Sequence, residues 1–356
     1  SVGVALLVLL IAGAWRARAS AQVETANLFR NKWWWAFVVL VLLRPWVPTQ
    51  WDEFVWLGKA RLESLGFGAG VRAALDPASQ LIPAGYPPLW PATGGWISLG
   101  ADDLSTHVVA ASVLVLLCVA TAIEAVTAAL LPLSRVAIVV VVTSPLVWVH
   151  VRSTYVDLPV GLLGLALFAL LIRGDRSPTL LASLLGLALV GFKDEGLISV
   201  FAASLAALMM SGWRRWRLAI PAVIAACALL AWRWLVASHQ VQLFDHSLNL
   251  PQWDFVPTLV RLLALHASDV MSWGVFWSVA VALFFVPLQE REVKALRLML
   301  TLLCIGSMAG IVMGPERVRV FAESGTLLNR LLMQLWPTAA WLVIRSVEVA
   351  RLENDD

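Results

Sequence analysis

Between Val108 and Leu131 the chain carries a single charged residue, Glu124, and comparable apolar runs recur along its length, Leu218–Leu230 among them. A run of about 17–25 apolar residues, coiled into a helix, matches the hydrocarbon thickness of a bilayer. In lipid every backbone N–H and C=O must be bonded within the protein, which admits only helices and closed barrels. These runs are far longer than barrel strands. They predict helices, and the chain reads as an all-α, polytopic membrane helix bundle. Composition agrees: 60% of the 356 residues are hydrophobic and 14% are charged, with a mean hydropathy of +0.82. A soluble domain carries roughly 25% charged residues.

About eleven hydrophobic segments are expected, near 1–15, 33–47, 108–131, 136–151, 157–173, 178–192, 196–211, 218–237, 272–288, 298–314 and 327–346. Several are joined by very short turns, which makes them antiparallel neighbours. Pro132, Pro178 and Pro287 mark segment ends, where a missing N–H does least harm. No repeat or separate soluble domain is visible, so residues 1–356 read as one transmembrane domain with long connections at about 48–107 and 238–271. The segment 1–15 is short for a span and has neither a basic region before it nor a signal-type cleavage site. The expectation is an incomplete N-terminus. Nineteen tryptophans include Trp33, Trp34, Trp35, Trp213, Trp216 and Trp273 at run ends, where indoles favour the membrane–water boundary. The three cysteines, Cys118, Cys227 and Cys304, lie alone in apolar runs and read as packing residues.

Lysine and arginine in short connections set the orientation. Lys32, Arg135, Arg173, Arg176, Arg214, Arg215, Arg217, Arg291, Lys294, Arg297 and Arg345 fall on one side, expected to be cytoplasmic. The other side holds both long connections, all five histidines and most carboxylates. That division suggests chemistry on an outward face, of a protein placed in a bacterial inner (plasma) membrane. The net charge of +3 is too small to indicate a nucleic-acid partner.

Five constellations carry chemistry. Trp51-Asp52-Glu53-Phe54 follows the second segment and opens an amphipathic stretch with Phe54, Leu57 and Arg61 at helical spacing. Partial desolvation at a membrane surface raises a carboxylate pKa towards that of a general base; helix capping is the competing reading of the same pair. Tyr86-Pro87-Pro88-Leu89-Trp90-Pro91 makes a stiff, extended entry to an interfacial helix. Asp157 begins the fifth segment, where an acid is costly unless paired or wet, and it too could be a cap. Lys193 in Phe192-Lys193-Asp194-Glu195-Gly196 breaks the positive-inside pattern; it suits a phosphate, or a local pair with Asp194 or Glu195. Arg330 at the start of the last segment needs an anion, from the protein or from a ligand.

In their order these pieces resemble the C-type-fold glycosyltransferases that use polyprenyl-phosphate sugars, the group of protein O-mannosyltransferases and aminoarabinose transferases. The resemblance covers about residues 33–200, through Asp52-Glu53, Pro87-Pro88-Leu89, Asp157, Lys193 with Gly196 and, beyond that stretch, Arg330. Tyr86 stands where such proteins usually have Lys or His, and the arginine usual after that loop is replaced by Thr106-His107. The resemblance implies a first external loop with juxtamembrane helices. It implies sugar transfer from a polyprenyl-phosphate donor to a glycan, lipid or protein acceptor on the outer side, with inversion. Asp52 would be the catalytic residue, deprotonating or orienting the acceptor hydroxyl, and Lys193 and Arg330 would bind the donor phosphate. Glu53 and Asp157 would hold the acceptor or a divalent metal ion, for which the sequence shows no diagnostic ligand spacing. The competing functions are a lipid or solute transporter or flippase, and a non-catalytic membrane subunit with the same fold.

Overall fold

The computed structural model describes residues 32–42, 51–66, 68–78, 86–130, 144–151, 153–173, 178–241 and 249–355. The predicted segment 1–15, the end of the second and most of 136–151 lie outside these residues. Among the described residues the secondary structure is all helical, with no strand. The helices are α1 (Lys32–Leu42), α2 (Trp51–Leu65), α3 (Ala69–Ala74), α4 (Leu89–Ile97), α5 (Leu104–Leu130), α6 (Pro145–Val151), α7 (Asp157–Arg173) and α8 (Pro178–Phe192). They continue with α9 (Gly196–Ser211), α10 (Ile220–Ser238), α11 (Val256–Ala267), α12 (Val270–Trp273), α13 (Phe276–Phe285), α14 (Arg291–Val312), α15 (Glu316–Glu323) and α16 (Thr326–Asp355).

Three stretches are long and apolar enough to cross a membrane: Leu104–Ile123, Arg214–Ser238 and Arg291–Val312, with mean hydropathies of 2.3, 1.9 and 2.0. Shorter apolar helices cover Asp157–Ile172, Thr179–Phe192, Gly196–Ser211 and Phe276–Phe285. The chain is thus a helical membrane protein in its described part.

The middle of the bundle is α7, whose residues are buried from Asp157 through Ala169. It packs against α5, α8, α9 and α16. A helix that is apolar all round, as α7 is after its first residue, belongs inside a bundle or in lipid, and here other helices enclose it. Small residues allow the close approach. A Cβ on Gly161 would lie 2.5 Å from the Gln334 carbonyl oxygen and 3.0 Å from the Pro337 ring. One turn on, a Cβ on Gly164 would lie 3.1 Å from Ser199 of α9. Between α8 and α9, Gly196 turns the chain so tightly that a Cβ there would strike the Leu189 carbonyl. By contrast α10 lies at the periphery, with Val223, Leu230 and Trp234 exposed.

The long connection before α5 forms a compact layer. Gly95 of α4 lets that helix press on α2, since a Cβ there would meet the Ala60 carbonyl and, at 2.8 Å, Glu63 Cβ. The buried Glu63 carboxylate accepts the backbone N–H of Gly68 (2.7 Å) and Gly70 (2.7 Å) and the Trp96 indole N–H (3.2 Å). His107, also buried, lies 3.1 Å from the Ser64 hydroxyl and 2.8 Å from the Asp103 carbonyl, fastening α5 to α2. Leu89 and Trp90 then carry the layer onto the bundle. The Trp90 indole donates to the Thr154 carbonyl (3.1 Å) and meets the Phe192 ring edge-on at 5.0 Å.

Candidate functional site

Helices α7, α9 and α16 begin, and α8 ends, at one end of the bundle, and their terminal residues carry opposite charges. Asp157, in the first turn of α7, is fully buried. One carboxylate oxygen accepts from Lys193 Nζ at 2.8 Å and from the Gln334 amide at 2.8 Å. The other accepts from Arg330 Nε at 2.9 Å. Lys193 is itself buried and also lies 3.1 Å from Glu195. Arg330 and Gln334 are four residues apart, so one face of α16 presents both to Asp157. The Gly161 contact, one turn further along α7, brings the two helices close enough for this.

The sequence places Lys193 and Arg330 at a phosphate, or in ion pairs with protein carboxylates. Both pair with carboxylates, and the carboxylate they share is Asp157. Three donors converge on Asp157, two of them cations, which suits its oxygens poorly to a metal ion as well. Among the described residues no group of three or more His, Cys, Asp or Glu side chains is arranged to hold a metal. Asp52 and Glu53 fall in the first turn of α2; their side chains lie outside the described structure. Pro87 and Pro88 lead into α4, and the Tyr86 ring packs edge-on against Trp56 at 5.5 Å.

Two further charged residues at this end escaped the sequence reading. Arg233 of α10 pairs with Asp194. Lys59 of α2 is 3% exposed, with its amine 5.6 Å from the ring centres of both Trp56 and Tyr86. Burial pulls the Lys59 amine down to about 7, against the attraction of Asp194. Burial likewise pushes the Asp194 carboxyl up to about 7, with Arg233 acting in the opposite sense. Lys59 was legible only as one cation on an amphipathic helix. Its burial depends on Tyr86 and Trp56 closing over it, which spacing along the chain does not encode. Lys59, Glu63, Tyr86, Pro88 and Pro91 line a narrow crevice of about 10 Å³, room for about one water.

The charge of this end is finely divided. Asp157, Asp194 and Glu195 stand against Lys193, Arg233, Arg330 and Lys59, and burial shifts two of them, Asp194 and Lys59, towards their neutral forms. Tyr86 lies near Lys193, and Lys59 near Asp194. The Pro-Pro-Leu segment, the α8–α9 turn and the ends of α7 and α16 therefore meet at one end of the bundle. No family model, curated protein or solved structure matches the chain.

Proposed function

We propose that the chain is a membrane glycosyltransferase that moves a sugar from a polyprenyl-phosphate donor to an acceptor at one face of the bilayer. The observation that carries this reading is the meeting of Asp157, Lys193 and Arg330, far apart in the chain, beside the segment Tyr86–Trp90. In the proposed reaction an acceptor hydroxyl gives its proton to Asp52 as its oxygen bonds to the anomeric carbon. The bond from that carbon to the phosphate oxygen breaks, and the phosphate leaves with the electron pair. Negative charge grows on the leaving phosphate, so fixed cations nearby lower the barrier. Lys193 and Arg330 supply them, and Asp157 is a positioning residue that holds both side chains in the low-dielectric interior before the donor arrives.

A second reading rests on the same contacts. Ion pairs already satisfied within the protein suit a non-catalytic subunit or a transporter, in which they fasten helices together. The two readings part in one assay, the turnover of a panel of radiolabelled polyprenyl-phosphate hexoses and pentoses by the protein in vesicles. The enzyme reading expects turnover of at least one donor, reduced about 10²–10⁴-fold by Asp52→Asn with the thermal transition kept. No turnover of any donor by the unaltered protein, or full turnover by Asp52→Asn, rejects it.

A further inference from the structure

The connection at 238–271 reads in the sequence as an external loop, and its described part holds a helix with an exposed apolar side. Helix α11 is twelve residues long, about 18 Å, and so cannot cross a hydrocarbon core of about 30 Å. One side of it is committed inward. Leu259 is buried, Phe255 is buried just before the helix, and α11 packs on α15 and on α16. The opposite side presents Pro257, Val260, Arg261, Ala264 and Leu265 outward, all exposed and at helical spacing. Arg261 is the one Arg, Lys, Asp or Glu in α11.

Apolar exposure continues at both ends of the helix. Leu250 (87% exposed) and Trp253 (73%) precede it, and Val270, Met271 (85%) and Val275 follow it. From there the chain enters α13, whose Val279, Val281 and Phe285 are exposed on an apolar helix. This surface is thus continuous along the chain with one expected to face lipid tails. In water it would be a large apolar patch of the kind that marks an interaction site. Its chemistry fits the boundary between headgroups and acyl chains: an indole at one end, aliphatic side chains along the face and one arginine whose long stem can lift its charge to a phosphate.

We propose that α11 and its flanks, from Leu250 to Val275, lie in the plane of the membrane at its surface, with the apolar face in the acyl boundary and Arg261 at a phospholipid headgroup. The occupant of this face is the bilayer itself. Because α11 and α15 cap the start of α16, this seats Arg330 and its network at headgroup depth, and it holds whether or not the chain transfers sugars.

The test uses the full chain in phosphatidylcholine–phosphatidylglycerol vesicles, with native cysteines replaced and single nitroxide labels at 260, 265, 271 and 316. Collision with oxygen reports lipid, and collision with a water-soluble nickel chelate reports solvent. Labels at 260, 265 and 271 are expected to favour oxygen, and the label at Glu316 to favour nickel. Nickel preference at both 260 and 265 overturns the proposal, as does exclusion of both reagents there, which would mean another protein covers the face. Should the label at 260 alter the thermal transition, Ala264 on the same face replaces it.

Discussion

Removing Lys193 leaves the buried Asp157 with Arg330 as its charged partner, and removing Asp157 leaves the buried Lys193 with Glu195; breaking a buried pair costs up to about 3–5 kcal/mol. Asp157→Asn and Lys193→Met are each expected to lower the thermal unfolding midpoint sharply. The double substitution should lose less than the sum, because it strands no lysine opposite a neutral group. Additive losses in a detergent melt would mean that the two residues do not act as a pair. Lys59 and Asp194 make a second residue-scale prediction, one of pH. Between its ordinary 3.8 and about 7, Asp194 holds its proton more tightly in the fold than in the unfolded chain, so stability falls as pH rises through that window. Between about 7 and its ordinary 10.5, Lys59 is more protonated in the unfolded chain, so stability rises. Together they favour a minimum near neutral pH. Asp194→Asn should flatten the acid limb and Lys59→Met the alkaline limb; an alkaline limb unchanged in Lys59→Met would contradict the Lys59 assignment. That Asp157, Lys193 and Arg330 need charged partners was legible because charge at the end of an apolar helix is costly and stands out in the sequence. Which of them would pair was not, because α7 and α16 meet through a packing contact between residues more than 170 positions apart.

At the scale of elements, that contact rests on Gly161. Gly161→Ala places a methyl group 2.5 Å from the Gln334 carbonyl oxygen, and overpacking of this kind costs about 1–3 kcal/mol. The substitution should also draw Gln334 and Arg330 away from Asp157. Gly310 of α14 serves as the control, since a Cβ there meets only Ile198 Cδ1, at 4.0 Å. Gly310→Ala should be neutral or gain up to about 1 kcal/mol of helix propensity. Equal melting points for the two variants would remove Gly161 from its place in the packing. Helix ends were read well where hydropathy changes abruptly: segments 178–192 and 196–211 match α8 and α9 in range. Segment 327–346 stops short of the end of α16, which runs on to Asp355 past Arg345, a residue buried against Glu290, Glu292 and Glu348. Hydropathy sees those charges as the end of a span, whereas their pairing lets the helix continue.

For the whole molecule, the alternation of helices brings Asp157, Lys193, Arg233 and Arg330 to one end of the bundle and Arg345 with its glutamates to the other. The Lys/Arg asymmetry of the sequence assigns the first end to the outside. Single cysteines at positions 76 and 294, in a background lacking the native three, should react with an impermeant maleimide from opposite sides, 76 from outside and 294 from the cytoplasm. Labelling of 76 from the cytoplasm alone would reverse the orientation and move the proposed site to the other face. The expectation of about eleven spans is the coarsest of the sequence readings. Three clear candidate spans and four shorter apolar helices stand for it among the described residues, since length and hydropathy cannot separate a short buried helix such as α7 from a lipid-facing one.

The reading of this end as a donor site turns on whether a lipid phosphate binds there. A cryo-electron microscopy map of the protein in nanodiscs saturated with a polyprenyl phosphate addresses it directly. Phosphate density is expected within ion-pair reach, about 4 Å, of Lys193 or Arg330, on the side of Tyr86 and Lys59. A map in which Asp157 keeps both cations and the phosphate lies elsewhere, or in which saturating lipid leaves no density at this end of the bundle, would contradict it.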